Sequence, residues 1–284
     1  MKALFDQVSA KCSQITTQKY STSFSLGIKF LSPTIRPAIF AIYGFVRLAD
    51  EVVDSFHEYD RKALLLQLKA ETHAALENKI SLNPIINSFQ QTVHRYQIDV
   101  QLIEAFLDSM EMDLDKQVYT KQLYDKYIFG SAEVVGLMCL KVFCNGDETE
   151  YNQLRHSAMK LGSAFQKVNF LRDIKADHFE LGRMYFPNMD FNCFTEQDKA
   201  LIEQEIEAEF DDALQGIVKL PRCAKKGVYL AYIYYKSLFR KIQEIPAKHI
   251  MEKRVRVPDF QKALLMLNTF FVPQAPERLS ANVG

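Results

Sequence analysis

The chain has 284 residues, 48% of them hydrophobic, and its 35 basic and 35 acidic residues cancel to a formal net charge of zero. That length and apolar content suit one sizeable buried core. The neutral balance, with a pI near 7.0, argues against a nucleic-acid partner and against a polybasic membrane patch.

Leu4, Val8 and Ile15 predict an amphipathic opening helix. Asp6 interrupts the N-terminal stretch, so no signal peptide is expected. The hydroxyl-rich stretch YSTSFS, Tyr20–Ser25, breaks the chain before an apolar run. Such a break caps a helix or binds an anion through hydroxyls and backbone N–H groups, capping being the commoner role. Ser32-Pro33 and Pro37 start a central helix that ends in Arg47, Asp50 and Asp54. Asp50 and Asp54 share one helical face with Arg47 a turn earlier, on a stripe otherwise built from Phe40, Ile42, Phe45 and Val46. Charges on such a stripe need a partner or a metal; taken alone, an ordinary ion pair of Arg47 with Asp50 or Glu51 explains them equally well.

Asp60 caps a helix with Leu64, Leu65, Leu68, Ala75 and Leu76 on one side. Asn83-Pro84 reads as N-cap and first turn of the next, and Asp99 opens a third. The acids closing that helix, Asp108, Glu111, Asp113 and Asp115, are possible metal ligands but read more simply as a solvated face, since none of them makes an Asp-x-x-x-Asp pair. Thr120 starts a helix in which Gly130, Ser131, Ala132 and Gly136 recur at about helical spacing. Close helix packing is one account. Interior glycines cost roughly 1 kcal/mol each, which favours the other, room left for a ligand. The next helix, about Thr149 to Phe179, carries Gln166, Asn169, Arg172, Asp173 and Asp177. Asp-x-x-x-Asp occurs only here and at Asp50/Asp54, each time closing a mostly apolar helical run beside an arginine. Two matched pairs suggest facing walls of one site.

His156 and His178 read as surface residues, Thr195-x-x-Asp198 as a capping box, and residues 205–212 as a solvated acidic face. Gly227–Ile242 is rich in tyrosine, Pro258 starts a last helix, and Pro273–Gly284 reads as a loose tail. The five cysteines (12, 139, 144, 193, 223) are odd in number without Cys-x-x-Cys, so free thiols in a reducing cytosol are expected. No uncharged apolar run approaches the ~20 residues of a membrane span. With no strand pattern, repeat or linker, the chain reads as one all-α domain, 1–284.

The two acidic stretches resemble motifs of the squalene/phytoene synthase family: Tyr43, Arg47, Asp50 and Asp54 in the first, Gln166, Asn169, Arg172, Asp173 and Asp177 in the second. YSTSFS, Gly136 and the GRMYFP stretch Gly182–Pro187 are lesser matches, and the likeness covers about Tyr20 to Tyr235. It implies an isoprenoid-synthase-type helical bundle around a central apolar cavity. It further implies metal ligation by Asp50, Asp54, Asn169, Asp173 and Asp177, with Mg²⁺ expected and Mn²⁺ as a substitute. Tyr43, Arg47, Arg172 and Tyr235 would be catalytic. Tyr20, Ser21, Thr22, Ser23, Phe24, Ile28, Gly136 and Gln166 would bind substrate. Glu133 stands where the family has glycine, and is expected to point away from the tunnel or to pair with a base.

Oxygen donors alone suit Mg²⁺, which commonly bridges carboxylates to phosphates. An allylic cation needs water excluded; Phe24, Ile28, Phe40, Leu137 and Met138 are candidate lining residues, each also readable as plain core. The resemblance implies head-to-head condensation of two prenyl diphosphates. The expectation is geranylgeranyl diphosphate as substrate and phytoene as product, through a cyclopropylcarbinyl diphosphate and without NADPH. The alternatives are a C30 synthase using farnesyl diphosphate and a non-catalytic assembly protein. A cytoplasmic protein with peripheral membrane contact is expected; the oligomeric state is left open.

Overall fold

The computed structural model describes residues 1–115, 119–175, 185–187 and 194–250. The described residues are helical, with no strand among them. The first half comprises α1 (Lys2–Tyr20), α2 (Thr22–Lys29), α3 (Arg36–Asp54), α4 (Arg61–Asn78), α5 (Pro84–Tyr96) and α6 (Val100–Met112). The second half comprises α7 (Lys121–Ile128), a π-helical turn (Phe129–Glu133), α8 (Val134–Phe143), α9 (Glu148–Lys175), α10 (Glu196–Ile217), α11 (Arg222–Gln243) and α12 (Ala247–Ile250). The expected Asp177, His178, Cys193, Gly182–Met184 and the last helix and tail lie outside the described residues.

The caps read from the sequence are made. Asp60, Asn83, Asp99 and Thr120 accept from the backbone N–H of Ala63, Ile85, Gln101 and Leu123 at 3.0, 3.0, 2.9 and 3.3 Å. Thr195 and Asp198 form the reciprocal capping box, and Pro37 sits in the first turn of α3.

α3 is the central helix, packed by α1, α2, α4, α5, α6 and α8. Its Phe45 stacks on Phe89 of α5 with ring centroids 4.0 Å apart and meets Phe106 of α6. Phe40, Leu137 and Met138 belong to this core rather than to a ligand pocket; their side chains face neighbouring helices.

α1 packs the opposite way from the expected one. It buries Ser9, Ser13 and Thr17 against α3 and α5 and leaves Leu4, Val8 and Ile15 in solvent. Close approach is the reason: a Cβ on Gly44 of α3 would lie 3.0 Å from Ser13 Cβ, so only small side chains fit this crossing.

α8 and α9 lie side by side after a tight reversal at Asn145 and Gly146, both at positive φ, 49° and 83°; the second requires glycine. α9 is two-faced. One face carries the motif residues. The other is fixed to α10 by buried Lys167, which donates to buried Glu209 at 2.8 Å and to Glu205 at 2.6 Å, while Ser163 also donates to Glu209 at 2.9 Å. Glu209 therefore departs from the solvated face expected of 205–212. Gly130 and Gly162 are likewise packing glycines: Cβ atoms there would come within 2.5 and 2.6 Å of the carbonyl oxygens of Ala105 and Ala132.

Removing one member of a buried ion pair strands the other. Lys167→Met is expected to destabilise the fold by about 3 kcal/mol in urea unfolding, and adding Glu209→Leu to recover most of it. A single-variant cost within the noise of the measurement would remove the ion pair as the element that fixes the register of α9.

Candidate active site

A cavity of ≈ 640 Å³ opens between α2, α3, the π turn, α8, α9, α10 and α11. Its α9 wall is a continuous stripe from Leu154 through Ala158, Leu161 and Phe165 to Asn169 and Asp173, roughly 28 Å long at a rise of about 1.5 Å per residue. The wall made by the π turn and α8 repeats the pattern with Ala132, Gly136, Cys139 and Phe143. Small side chains here do leave room: Ser131, Ala132 and Gly136 line the cavity, whereas Gly130 does not. The π turn slips the helix by one residue where it meets α6, a departure frequent at functional sites.

Asp50 and Asp54 of α3 and Asn169 and Asp173 of α9 line the same cavity, as do Tyr43, Arg47, Gln166, Arg172 and Tyr235. Tyr235 donates to Asn169 Oδ1 at 3.3 Å and stacks on Phe165 with centroids 3.9 Å apart. Tyr20, Ser21, Phe24 and Ile28 line the N-terminal wall; Thr22 and Ser23 do not. In this first turn of α2 Thr22 is exposed and Ser23 is half-buried away from the cavity. Ser21 caps α2, accepting from Phe24 N–H at 3.1 Å. The capping role read from the sequence is thus made, by a residue that also faces the cavity. Glu133 is absent from the cavity wall and sits in the fields of Lys160 and Lys167; burial raises its pKa to about 6.

The charges are held in a particular pattern. Arg47 pairs with Glu51, lies 4.0 Å from Asp50, and stacks its guanidinium 4.4 Å from the centre of the Tyr20 ring. Arg172 forks onto its neighbour Asp173: Nε to both oxygens at 3.0 and 3.1 Å, Nη2 to Oδ2 at 2.5 Å. Asp50 keeps 32% of its side-chain surface open, but to a cavity rather than to bulk water. Burial first, then the charge of Asp54, push its carboxyl up to about 7, against the pull of Arg47. Burial also lifts the Tyr43 hydroxyl to about 12.

Asp113, read as part of a solvated face, is buried in the cavity wall. It accepts from the hydroxyls of Tyr127 at 2.7 Å and Tyr185 at 3.3 Å. A signal for it existed: Ile103, Phe106, Met110 and Asp113 follow one helical stripe, the first three apolar and all four buried.

The donors on the two walls are carboxylate and amide oxygens, without thiolate or imidazole, which is the chemistry of a hard divalent cation. Among the described residues no three His, Cys, Asp or Glu side chains converge into a protein-only cage.

The sequence model of the family described as Squalene/phytoene synthase matches residues 17–261. The chain belongs to the squalene/phytoene synthase family. Family members are prenyltransferase-type enzymes that join prenyl diphosphates head to head. Among its relatives, a 15-cis-phytoene synthase from Synechocystis sp. is 30% identical over 90% of this chain and 82% of its own. A chloroplastic phytoene synthase from Narcissus pseudonarcissus is 27% identical over 82% of this chain, which spans 59% of that longer one. A crystal structure of a dehydrosqualene synthase in complex with ligand superposes with a TM-score of 0.79 at 20% identity, covering 94% of this chain and 96% of that one. At that identity it speaks for the helical fold of the family.

In this squalene/phytoene synthase fold a charged Asp50 opposes folding. Its raised pKa means the protonated form favours the folded state, a contribution full below the ordinary value of 3.8 and lost as pH rises through about 7. Asp50→Asn is therefore expected to raise the melting temperature of metal-free protein at about pH 8, the gain shrinking to nothing near pH 4. Differential scanning fluorimetry across that range reads it; a gain independent of pH contradicts the assignment.

Proposed function

We propose that this protein condenses two geranylgeranyl diphosphates head to head into phytoene, through a cyclopropylcarbinyl diphosphate, with release of diphosphate. The observation that carries the reading is that Asp50 and Asp54 of α3 and Asn169 and Asp173 of α9 line one long cavity. The names of the relatives, phytoene synthases from a cyanobacterium and from plants, favour the C20 substrate over C15.

Asp50, Asp54, Asn169 and Asp173 would hold Mg²⁺, with Asp177 joining them by sequence spacing and Mn²⁺ as a substitute. When bound, the ion supplies Lewis acidity that neutralises the leaving diphosphate. Arg47 and Arg172 are placed to fork onto phosphate oxygens, Arg172 by sharing or releasing Asp173. Tyr235 orients Asn169 through its hydrogen bond. Phe24, Ile28, Val135, Leu161 and Phe165 make the walls apolar, so water is kept from an allylic cation, and the faces of Phe24 and Phe165 are available to it. Asp113 holds the hydroxyls of Tyr127 and Tyr185 in fixed directions at the same end of the cavity as Asp50, whose charge feels it. The reaction ends by proton loss, so no NADPH enters this reading.

The walls draw on α2 and α3 near one end of the sequence and on α10 and α11 near the other, which supports one domain over the described chain. No helix among the described residues is long and apolar enough to cross a membrane. A cytoplasmic protein that meets the lipid phase peripherally is the arrangement this substrate chemistry favours.

Purified protein incubated with Mg²⁺ and either C15 or C20 diphosphate tests the reading. Phytoene is expected from the C20 substrate, abolished by chelation, with kcat lowered about 100-fold or more in Asp50→Ala and in Asp173→Ala. A C30 hydrocarbon as main product would overturn the chain length. Full turnover in both variants would overturn the site.

A further inference from the structure

α1 inverts the usual amphipathic arrangement. The side chains buried against the rest of the protein are Ser9, Ser13 and Thr17, each at 0% exposure, while Leu4, Val8 and Ile15 stand 65%, 49% and 47% exposed. At 100° per residue the three aliphatics fall within about 40° of one another on the helix, opposite the three hydroxyls. Lys11 and Lys19 flank them on the same exposed face, and the helix's one acid, Asp6, is turned inward to Asn87 and Gln91. Among the described residues, Tyr59, Leu66 and Leu201 are exposed singly, as is ordinary for protein surfaces, and Ile80 and Leu82 are exposed together in the α4–α5 connection, a shorter row than that of α1. α1 ends at Tyr20, itself exposed, which lines the mouth of the cavity under Arg47.

We propose that the outward face of α1 is the surface on which this protein docks to an anionic lipid bilayer. An aliphatic row bordered by lysines and free of carboxylates matches the interface of such a membrane in both respects: apolar side chains enter the acyl boundary and ammonium groups meet the phosphates. The surface is read from exposure and charge alone and does not depend on the function proposed above.

Flotation of the full chain with vesicles, without substrate, tests it. The protein is expected to float with equal parts phosphatidylglycerol and phosphatidylcholine at low salt, and weakly with phosphatidylcholine alone. Leu4→Glu/Val8→Glu/Ile15→Glu, checked for an unchanged melting temperature, is expected to lower binding about tenfold or more. Lys11→Glu/Lys19→Glu is expected to remove the preference for anionic vesicles. Turnover of detergent-dispersed substrate should survive in both variants, which separates a failure of docking from a failure of the proposed activity. Wild-type protein that stays unbound to both vesicle types would overturn the proposal, and so would a triple variant that floats like wild type. A wild-type dimer split by the triple variant, with no vesicle binding, would assign the face to a second copy and overturn it as well.

Discussion

Like charge gathered where water is scarce is the constraint that organises this structure. Asp50 feels Asp54 on its own helix and Asp113 from the end of α6, and protein packed around it raises its pKa to about 7. Asp173 faces the same cavity from α9. Carboxylates so placed cost folding free energy unless a cation answers them. Arginine does part of this: Arg47 beside Asp50 and Glu51, Arg172 on Asp173. The arrangement would suit a site whose full complement of positive charge arrives with its substrate, as in the function proposed above.

Holding two such stripes on one cavity requires rigid walls, and the walls are stiffened on their far sides. α9 presents Asn169 and Asp173 to the cavity and locks its back to α10 through Lys167 and Glu209. α3 presents Asp50 and Asp54 and backs onto α5 and α6 through Phe45, Phe89 and Phe106. Close crossings at Gly44, Gly130 and Gly162 draw the helices together. The cavity therefore persists as a space between well-packed neighbours rather than as a fault in one core.

Helical period and caps are local, and they were legible. So were the two motif stripes, since residues i, i+4 and i+8 must share a face whatever that face meets. What a face meets is set by the rest of the fold. Four acids closing α6 look alike along the chain, yet Asp113 alone is turned to two buried tyrosine hydroxyls. Glu209 lies among solvated acids and finds a lysine from α9. Leu4, Val8 and Ile15 have the spacing of a core stripe, but the tight crossing at Gly44 and Ser13 admits only the hydroxyl side of that helix. Phe40, Leu137 and Met138 are as apolar as Phe24 and Ile28; only the position of the cavity separates lining from core.

The fork of Arg172 onto Asp173 bears on how such a site fills. Both carboxylate oxygens accept from the guanidinium at 2.5 to 3.1 Å, so a cation arriving alone meets a group whose negative charge is already answered. A diphosphate arriving alone meets an arginine already engaged and carboxylates that repel it. A cation and a diphosphate arriving together would exchange one ion pair for two, Asp173 to the cation and Arg172 to a phosphate, and would leave less charge unmatched than either alone. In a cavity where unmatched charge is expensive, that balance favours joint binding. Arginine suits the exchange better than lysine because its planar fork fits carboxylate and phosphate in the same bidentate manner.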